Sequence, residues 1–136
     1  LGTDGAASNN SLDLFESLRL SSLIGKHLDN NAASHDSYRA LYQATHGGAI
    51  AAGLGHLTGS LESGKQADFI AIDTRSISMQ PLHNPFSQLV HTAAGRMVTQ
   101  VWVNGKQLVQ NGELLQQDKQ ELIEKAQHWQ RKIAGE

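Results

Sequence analysis

The run MVTQVWVNGKQLVQNGELL, residues 97–115, constrains the fold more than any other part of the sequence. Val98, Val101 and Val103 flank Trp102, and Asn104-Gly105 offers the two left-handed positions of a type I′ turn before the chain returns through Lys106 to Gln110. A chain with this pattern is committed to an antiparallel hairpin. Asn111-Gly112 predicts a second tight turn directly behind it.

The remaining segments read as helices before the hairpin and one helix after it. In LDLFESLRLSSLIGKHL, Leu14, Leu18, Leu20, Leu23, Ile24 and Leu28 fall at helical spacings, and Asp13 can cap the first turn. A second helix is expected from about His35 to Ala44, capped by Ser34, with Tyr38, Leu41 and Tyr42 on one face. Thr45 can cap a short third helix, HGGAIAAGL. In GSLESGKQADFIAID a short strand is expected around Ser60 and Leu61, a turn at Glu62–Lys65 and a strand from Ala67 to Asp73. Pro81 and Pro85 prevent regular structure in TRSISMQPLHNP, and FSQLVHTAAG reads as a short helix ended by Gly95. Asp118 and Glu121 make a capping box for a last helix carrying Leu122, Ile123, Ala126, Trp129 and Ile133, with Trp129 as its packing anchor. No internal repeat is visible, and the order of elements suggests two incomplete structures joined. The opening LGTDGAASNN has the shape of a strand's last residues without an earlier partner, so the polypeptide is expected to begin mid-fold.

Composition narrows the chemistry. Eleven Lys and Arg against 13 Asp and Glu give a net charge of −2, which argues against a nucleic-acid surface. No run approaches the roughly 18 apolar residues of a membrane span. Absence of cysteine excludes disulfides, thiolate zinc sites and cysteine nucleophiles, so any metal must use His, Asp or Glu. With no export signal, the same composition fits a cytoplasmic protein.

Few residues read as chemical on their own. Asp4, in GTDGAAS, follows the expected strand end and is surrounded by small residues that leave room at the carboxylate; turn formation also accounts for it. The seven histidines contain no HxH pair and no HExxH face, and structural or surface roles account for them. Ser8 lacks a base at a recognisable spacing. Asn9 and Asn10 can line a pocket or cap the following helix, capping being the simpler reading. Gly53, Gly55 and Gly59 do not follow a strand as a nucleotide loop requires.

Taken together, GTDGAASNNSLD, the helix containing Thr45, GSLESGKQADFIAID and NPFSQLVHTAAGRMVTQVWVNGKQLVQNGELL resemble the C-terminal third of the metal-dependent amidohydrolases. Within that superfamily the chain is most similar to the methylthioadenosine/S-adenosylhomocysteine deaminases. GSLESGKQADFIAID marks the superfamily, whereas GTDGAASNN, SQLV and VWVNG narrow it to the deaminase and triazine-hydrolase branch.

The resemblance implies an α/β fold: the C-terminal part of a (β/α)8 TIM-like barrel, part of a small β-sandwich and a terminal helix. Residues 1–55 would be the last barrel strand and its trailing helices, 56–115 the C-terminal part of a composite sandwich, and 116–136 a helix packed back on the body. Asp4 would correspond to the Asp at the end of the last barrel strand, which binds the catalytic divalent metal, Zn²⁺ or Fe²⁺, and exchanges a proton with the attacking water. Ser8 and Asn9 match a loop beside that site, as candidates for substrate binding without an assigned contact. The family's HxH pair, two further His and a Glu would lie upstream of Leu1, leaving this piece inactive alone and dependent on the missing N-terminal part or a second copy. The implied activity is deamination of an adenine nucleoside thioether, a small-molecule substrate. The alternatives are guanine, oxidised guanine or a chlorotriazine as substrate, or a non-catalytic assembly module.

Overall fold

The structure is a computed structural model and describes residues 1–92 and 94–135. Three helices, α1 (Leu14–Leu28), α2 (Ser37–Ala44) and α3 (His46–Ala51), precede strand β1 (Phe69–Ile72) and helix α4 (Pro85–His91). Strands β2 (Val98–Val103), β3 (Lys106–Gln110) and β4 (Glu113–Leu114) follow, and helix α5 (Lys119–Ala134) ends the described chain. The fold is α/β with one four-stranded antiparallel sheet in the order β1-β2-β3-β4.

The hairpin forms as the sequence dictates. Asn104 and Gly105 adopt φ of 49° and 74°, and Asn111 and Gly112 adopt 52° and 80°, so both turns have the left-handed pair that a I′ connection needs. Val101 faces Val109 and Ile70 across β2, and Phe69 stacks on Trp102 with ring centroids 4.4 Å apart. The first turn is also held from outside. Asp68 accepts the Asn104 N–H on one carboxylate oxygen and the Thr58 hydroxyl on the other, and these bonds, the Asn104 one foremost, hold its carboxyl below the usual range.

Asp13 caps α1 by accepting the Phe15 N–H at 2.9 Å, as expected. The buried face of α1 is a different one from the leucine stripe: Leu18, Ser22 and Gly25 are inside, while Leu20, Leu23, Ile24 and Leu28 are exposed, the last at 76%. Small residues won that face because the neighbouring segment comes very close. The Ser22 hydroxyl donates to the His35 carbonyl at 2.8 Å, and the His35 ring occupies the space beside Gly25. A Cβ at Gly25 would stand 2.3 Å from His35 Cγ. Gly25→Ala should therefore lose about 1 kcal/mol, overpacking of about 1–3 kcal/mol outweighing the ~1 kcal/mol that Ala normally gains in a helix. Urea unfolding checks the sign, and adding His35→Ala should reverse it.

The central core is small: Leu18, Ala40 and Val90 join α1, α2 and α4, with Leu41 and Ala44 packed against them. Met79 and Ala94 are also fully buried. Helix α2 starts at Ser37 because Asp36, not Ser34, caps it, accepting the Arg39 N–H at 2.7 Å; the Ser34 hydroxyl is spent on the Asn31 carbonyl. Its expected face is also displaced. Ala40 is buried, whereas Tyr38 and Tyr42 are exposed and Tyr38 meets Phe86 edge-on. Thr45 stands at the start of α3 without a side-chain cap, its hydroxyl bonded back to the Leu41 carbonyl.

Other expectations fail for want of partners. Ser60 and Leu61 form no strand, and neither do Leu1 to Thr3, because no strand lies beside them among the described residues. A 3₁₀ turn, Ile77–Met79, precedes Pro81, where irregular chain was expected. Helix α4 stops at His91 with Thr92 as its cap, so Gly95 does not end it; Gly95 lies in a 3₁₀ turn, Ala94–Met97, and residue 93 of the expected helical segment is outside the described residues. In α5 only half of the capping box forms: Asp118 accepts the Gln120 N–H, while Glu121 pairs with Lys125 at 2.6 Å. No residue of α5 is buried, so it does not pack back on the described chain. Trp129 is 56% exposed beneath the Lys132 ammonium rather than an anchor. Among the described residues, no helix is long and apolar enough to cross a membrane.

Candidate active-site loop

Gly5 turns the chain, and its carbonyl accepts the N–H groups of Ser8 at 2.9 Å and Asn9 at 3.0 Å. Asp4 itself adopts φ of 64°, a left-handed conformation that Asp and Asn tolerate better than most residues. Its carboxylate is exposed, and Oδ1 accepts the Gly5 N–H at 2.7 Å. Among the described residues no hydrogen bond reaches Oδ2, which leaves one oxygen open for outside chemistry.

The loop is tied to α1 by a ladder of side chains. Asn9 donates from Nδ2 to the Thr3 carbonyl at 2.8 Å and accepts the Ser11 N–H on Oδ1 at 3.1 Å. The Ser11 hydroxyl then accepts the Asp13 N–H at 3.2 Å, and Asp13 accepts the Phe15 N–H. Each step spans two residues, the geometry of Asx and Ser/Thr turns. Beyond it, the Asp13 carboxylate fills the space where Gly95 would carry a Cβ, 2.9 Å from its Oδ2. Asn9 thus caps no helix, and Ser8 is exposed with its backbone, not its side chain, in the turn.

The histidines remain dispersed. Among the described residues no group of three or more His, Asp and Glu is arranged to hold a metal ion. His35 meets Asp29 at 3.4 Å, and His91, beside the Ser37 hydroxyl at 3.5 Å, is pushed below its usual pKa by burial and by the charges of Lys26 and Arg19. His46 lies edge-on to Tyr42 with its buried Nδ1 unpartnered among the described residues.

A second polar centre lies elsewhere, in a cavity of about 360 Å³ lined by Tyr38, Tyr42, His46, Ser60, Glu62 and Phe86 among others. There Glu62 accepts the Ser60 hydroxyl at 2.5 Å and meets the Lys65 ammonium at 3.3 Å, and these two, the hydroxyl foremost, lower its pKa. The ammonium also reaches the Ser60 oxygen at 2.6 Å, so the three groups satisfy one another and build the turn expected at Glu62–Lys65.

Residues 1–108 fit the amidohydrolase family. Over 135 residues the chain is 49% identical to a 5-methylthioadenosine/S-adenosylhomocysteine deaminase of Teredinibacter turnerae, covering 99% of this chain and 30% of that protein. The like-named deaminase of Saccharophagus degradans is 46% identical over all of this chain and 30% of its own length. A zinc-bound adenosine deaminase crystal structure from Xanthomonas campestris superposes with a TM-score of 0.95 at 41% identity, over 99% of this chain and 31% of that one. For a zinc complex of atrazine chlorohydrolase from Arthrobacter aurescens the TM-score is 0.82 at 28% identity, over 91% of this chain and 28% of that one. The chain thus spans about 30% of the length of the curated relatives it matches.

Proposed function

The chain belongs to the amidohydrolase family, and from that premise we propose that it is the C-terminal part of a metal-dependent hydrolytic deaminase of methylthioadenosine and S-adenosylhomocysteine, with Asp4 as a metal ligand and the proton carrier. The observation that carries this reading is the near-half identity, along essentially the whole chain, to two deaminases of that name. Triazine hydrolases share the fold at a much lower identity, which favours the nucleoside substrate over a chlorotriazine.

The loop suits that role. With Oδ1 engaged by Gly5, Asp4 offers Oδ2 as a single oxygen donor, which fits one of the roughly four positions of a zinc ion and no more. Zn²⁺, or Fe²⁺, would take its remaining ligands from the portion of the relatives' length that this chain does not span. When bound, the metal supplies an acidified water near neutral pH and polarises the ring. Asp4 would accept a proton from the attacking water and return it to the departing amine, which leaves as ammonia. The carboxylate ends the cycle as it began. Ser8, exposed on the same turn, is the substrate-side candidate of the loop.

The same reading divides the chain into a last barrel strand with its helices (1–55), a share of a composite β-sandwich (56–115) and a terminal helix (116–136). The exposed stripe of α1, the bare face of α5 and the outer edges of β1 and β4 would then be covered by the rest of the protein or by a second copy. The partner is a small molecule, with neither nucleic acid nor membrane required.

Ammonia release by the full-length protein tests the substrate assignment. Turnover of S-adenosylhomocysteine and methylthioadenosine should exceed that of guanine, 8-oxoguanine and a chlorotriazine by at least about 10²-fold in kcat/KM, because a site that hydrogen-bonds one ring leaves polar groups unpaired with another. Preference for guanine or the triazine overturns the substrate; no turnover of any of them leaves the assembly module.

A further inference from the structure

We infer that Asn9 is a positioning residue for Asp4: its carboxamide clasps the chain on both sides of the loop and sets the direction of the Asp4 carboxylate. This rests on the reading of Asp4 as the metal-facing proton carrier. Asp4 occupies a left-handed backbone conformation, uncommon for a non-glycine residue though Asp tolerates it, and the direction of its side chain depends on how the chain is held on either side. Within residues 1–12, one side chain bridges across that residue. Asn9 Nδ2 fixes the Thr3 carbonyl, immediately before Asp4, while Oδ1 holds the Ser11 N–H beyond the turn. The turn's own closure, Ser8 and Asn9 N–H on the Gly5 carbonyl, fixes the Gly5–Ala6 peptide, one residue beyond Asp4 on its other side. The peptides before Asp4 and after Gly5 are therefore both referenced to Asn9, by its side chain on one side and its N–H on the other.

The link continues into the core. Through Ser11 and Asp13 the clasp reaches the first turn of α1, whose Leu18 is 2% exposed, and the Asp13 carboxylate is wedged against Gly95. Asn9 consequently links the exposed carboxylate to the helix that places Leu18 in the core. A contact with substrate is not what its bonds are arranged for, since both its oxygen and its nitrogen serve the backbone. Serine at this place would reach one of these groups and alanine neither.

The test compares Asn9→Ala, Asn9→Asp and Asp4→Asn in the full-length zinc-loaded protein, with S-adenosylhomocysteine as substrate. Asn9→Ala should lower kcat by about 10–100-fold, the effect usual for a residue that orients a metal ligand, with KM within about twofold of the parent. Asn9→Asp keeps the acceptor for Ser11 but loses the donor to Thr3, and should fall between the two; it also serves if the alanine variant fails to fold. Combining Asn9→Ala with Asp4→Asn should cost no more rate than Asp4→Asn alone, because Asn9 acts through Asp4. Parental kcat in both Asn9 variants, a rise confined to KM, or additive losses in the double variant overturns the inference while leaving Asp4 untouched. Should Asp4→Asn retain parental turnover, the reading beneath fails and takes this one with it.

Discussion

Asp4→Asn in the full-length protein is expected to lower kcat/KM for S-adenosylhomocysteine by about 10³-fold, a barrier increase of roughly 4 kcal/mol, without a comparable loss of stability. The substitution is almost isosteric. An amide in place of Oδ2 cannot accept and return a proton at neutral pH and is a poor ligand for a divalent cation, so both functions assigned to the residue disappear together. The fold, by contrast, has little reason to object. Asparagine is at least as tolerant of the left-handed conformation at φ of 64°, and its carbonyl oxygen can take over acceptance of the Gly5 N–H. Ammonia release, zinc content by elemental analysis and thermal unfolding on the same preparation separate the possibilities. A variant with full turnover sinks the assignment of Asp4, whereas one that is inactive because it is unfolded contradicts the structural half of the expectation.

How much of this was legible in the sequence depends on whether an element's partner lies nearby in the chain. The β2–β3 hairpin was legible in its turn and pairing, because Asn104-Gly105 and the flanking valines lie within a dozen residues, whereas the register shift between Val101 and Trp102 was not. Helices α1, α2 and α4 were legible as helices but not in which face they bury. Leu20, Leu23 and Leu28 share the helical spacing of Leu18, yet the buried positions of α1 are Leu18, Ser22 and Gly25, and the small size of the last two admits the His35 segment. That choice depends on His35, which returns to the helix from beyond its C-terminal end, a contact that periodicity does not encode. The expected strand at Ser60–Leu61 does not form and α5 stays exposed among the described residues for a related reason: a ladder or an apolar stripe signals that something is to be covered, not where the cover lies.

The candidate site was legible to a different depth. Asp4 stood out only through its resemblance to a family, since an aspartate before a glycine is ordinary turn chemistry. The clasp around it carried a signal that went unread. Asn9, Ser11 and Asp13 alternate at a spacing of two, each a residue type that bonds the N–H two positions on, and all three bonds form. Capping was placed correctly at Asp13 and wrongly considered for Asn9, because the same residue types serve caps and Asx turns and only the onset of helical φ decides between them.

Gly59→Ala should destabilise the full-length protein by about 3–5 kcal/mol, measured by urea denaturation. Two independent effects add at this position. Gly59 adopts φ of 90°, where a side chain costs of order 1–3 kcal/mol in backbone strain. A Cβ there would also stand 2.7 Å from the Ala49 Cβ, 2.9 Å from the His46 Cα and 3.1 Å from the Thr45 carbonyl oxygen, and forcing it in adds about 1–3 kcal/mol. No flexible side-chain end can yield, since two of the three atoms are backbone of the α2–α3 junction and the third is a Cβ. Gly64 separates the two effects within the same protein. It has the same φ of 90° but nothing within 4 Å of its would-be Cβ, so Gly64→Ala reports the strain alone. The difference between the two variants then measures how tightly the loop leading to Ser60, Glu62 and Lys65 is pressed onto α3. Equal losses at both positions would mean that the α3 junction gives way easily, and that the close approach of residue 59 to His46 is not a fixed feature of the fold.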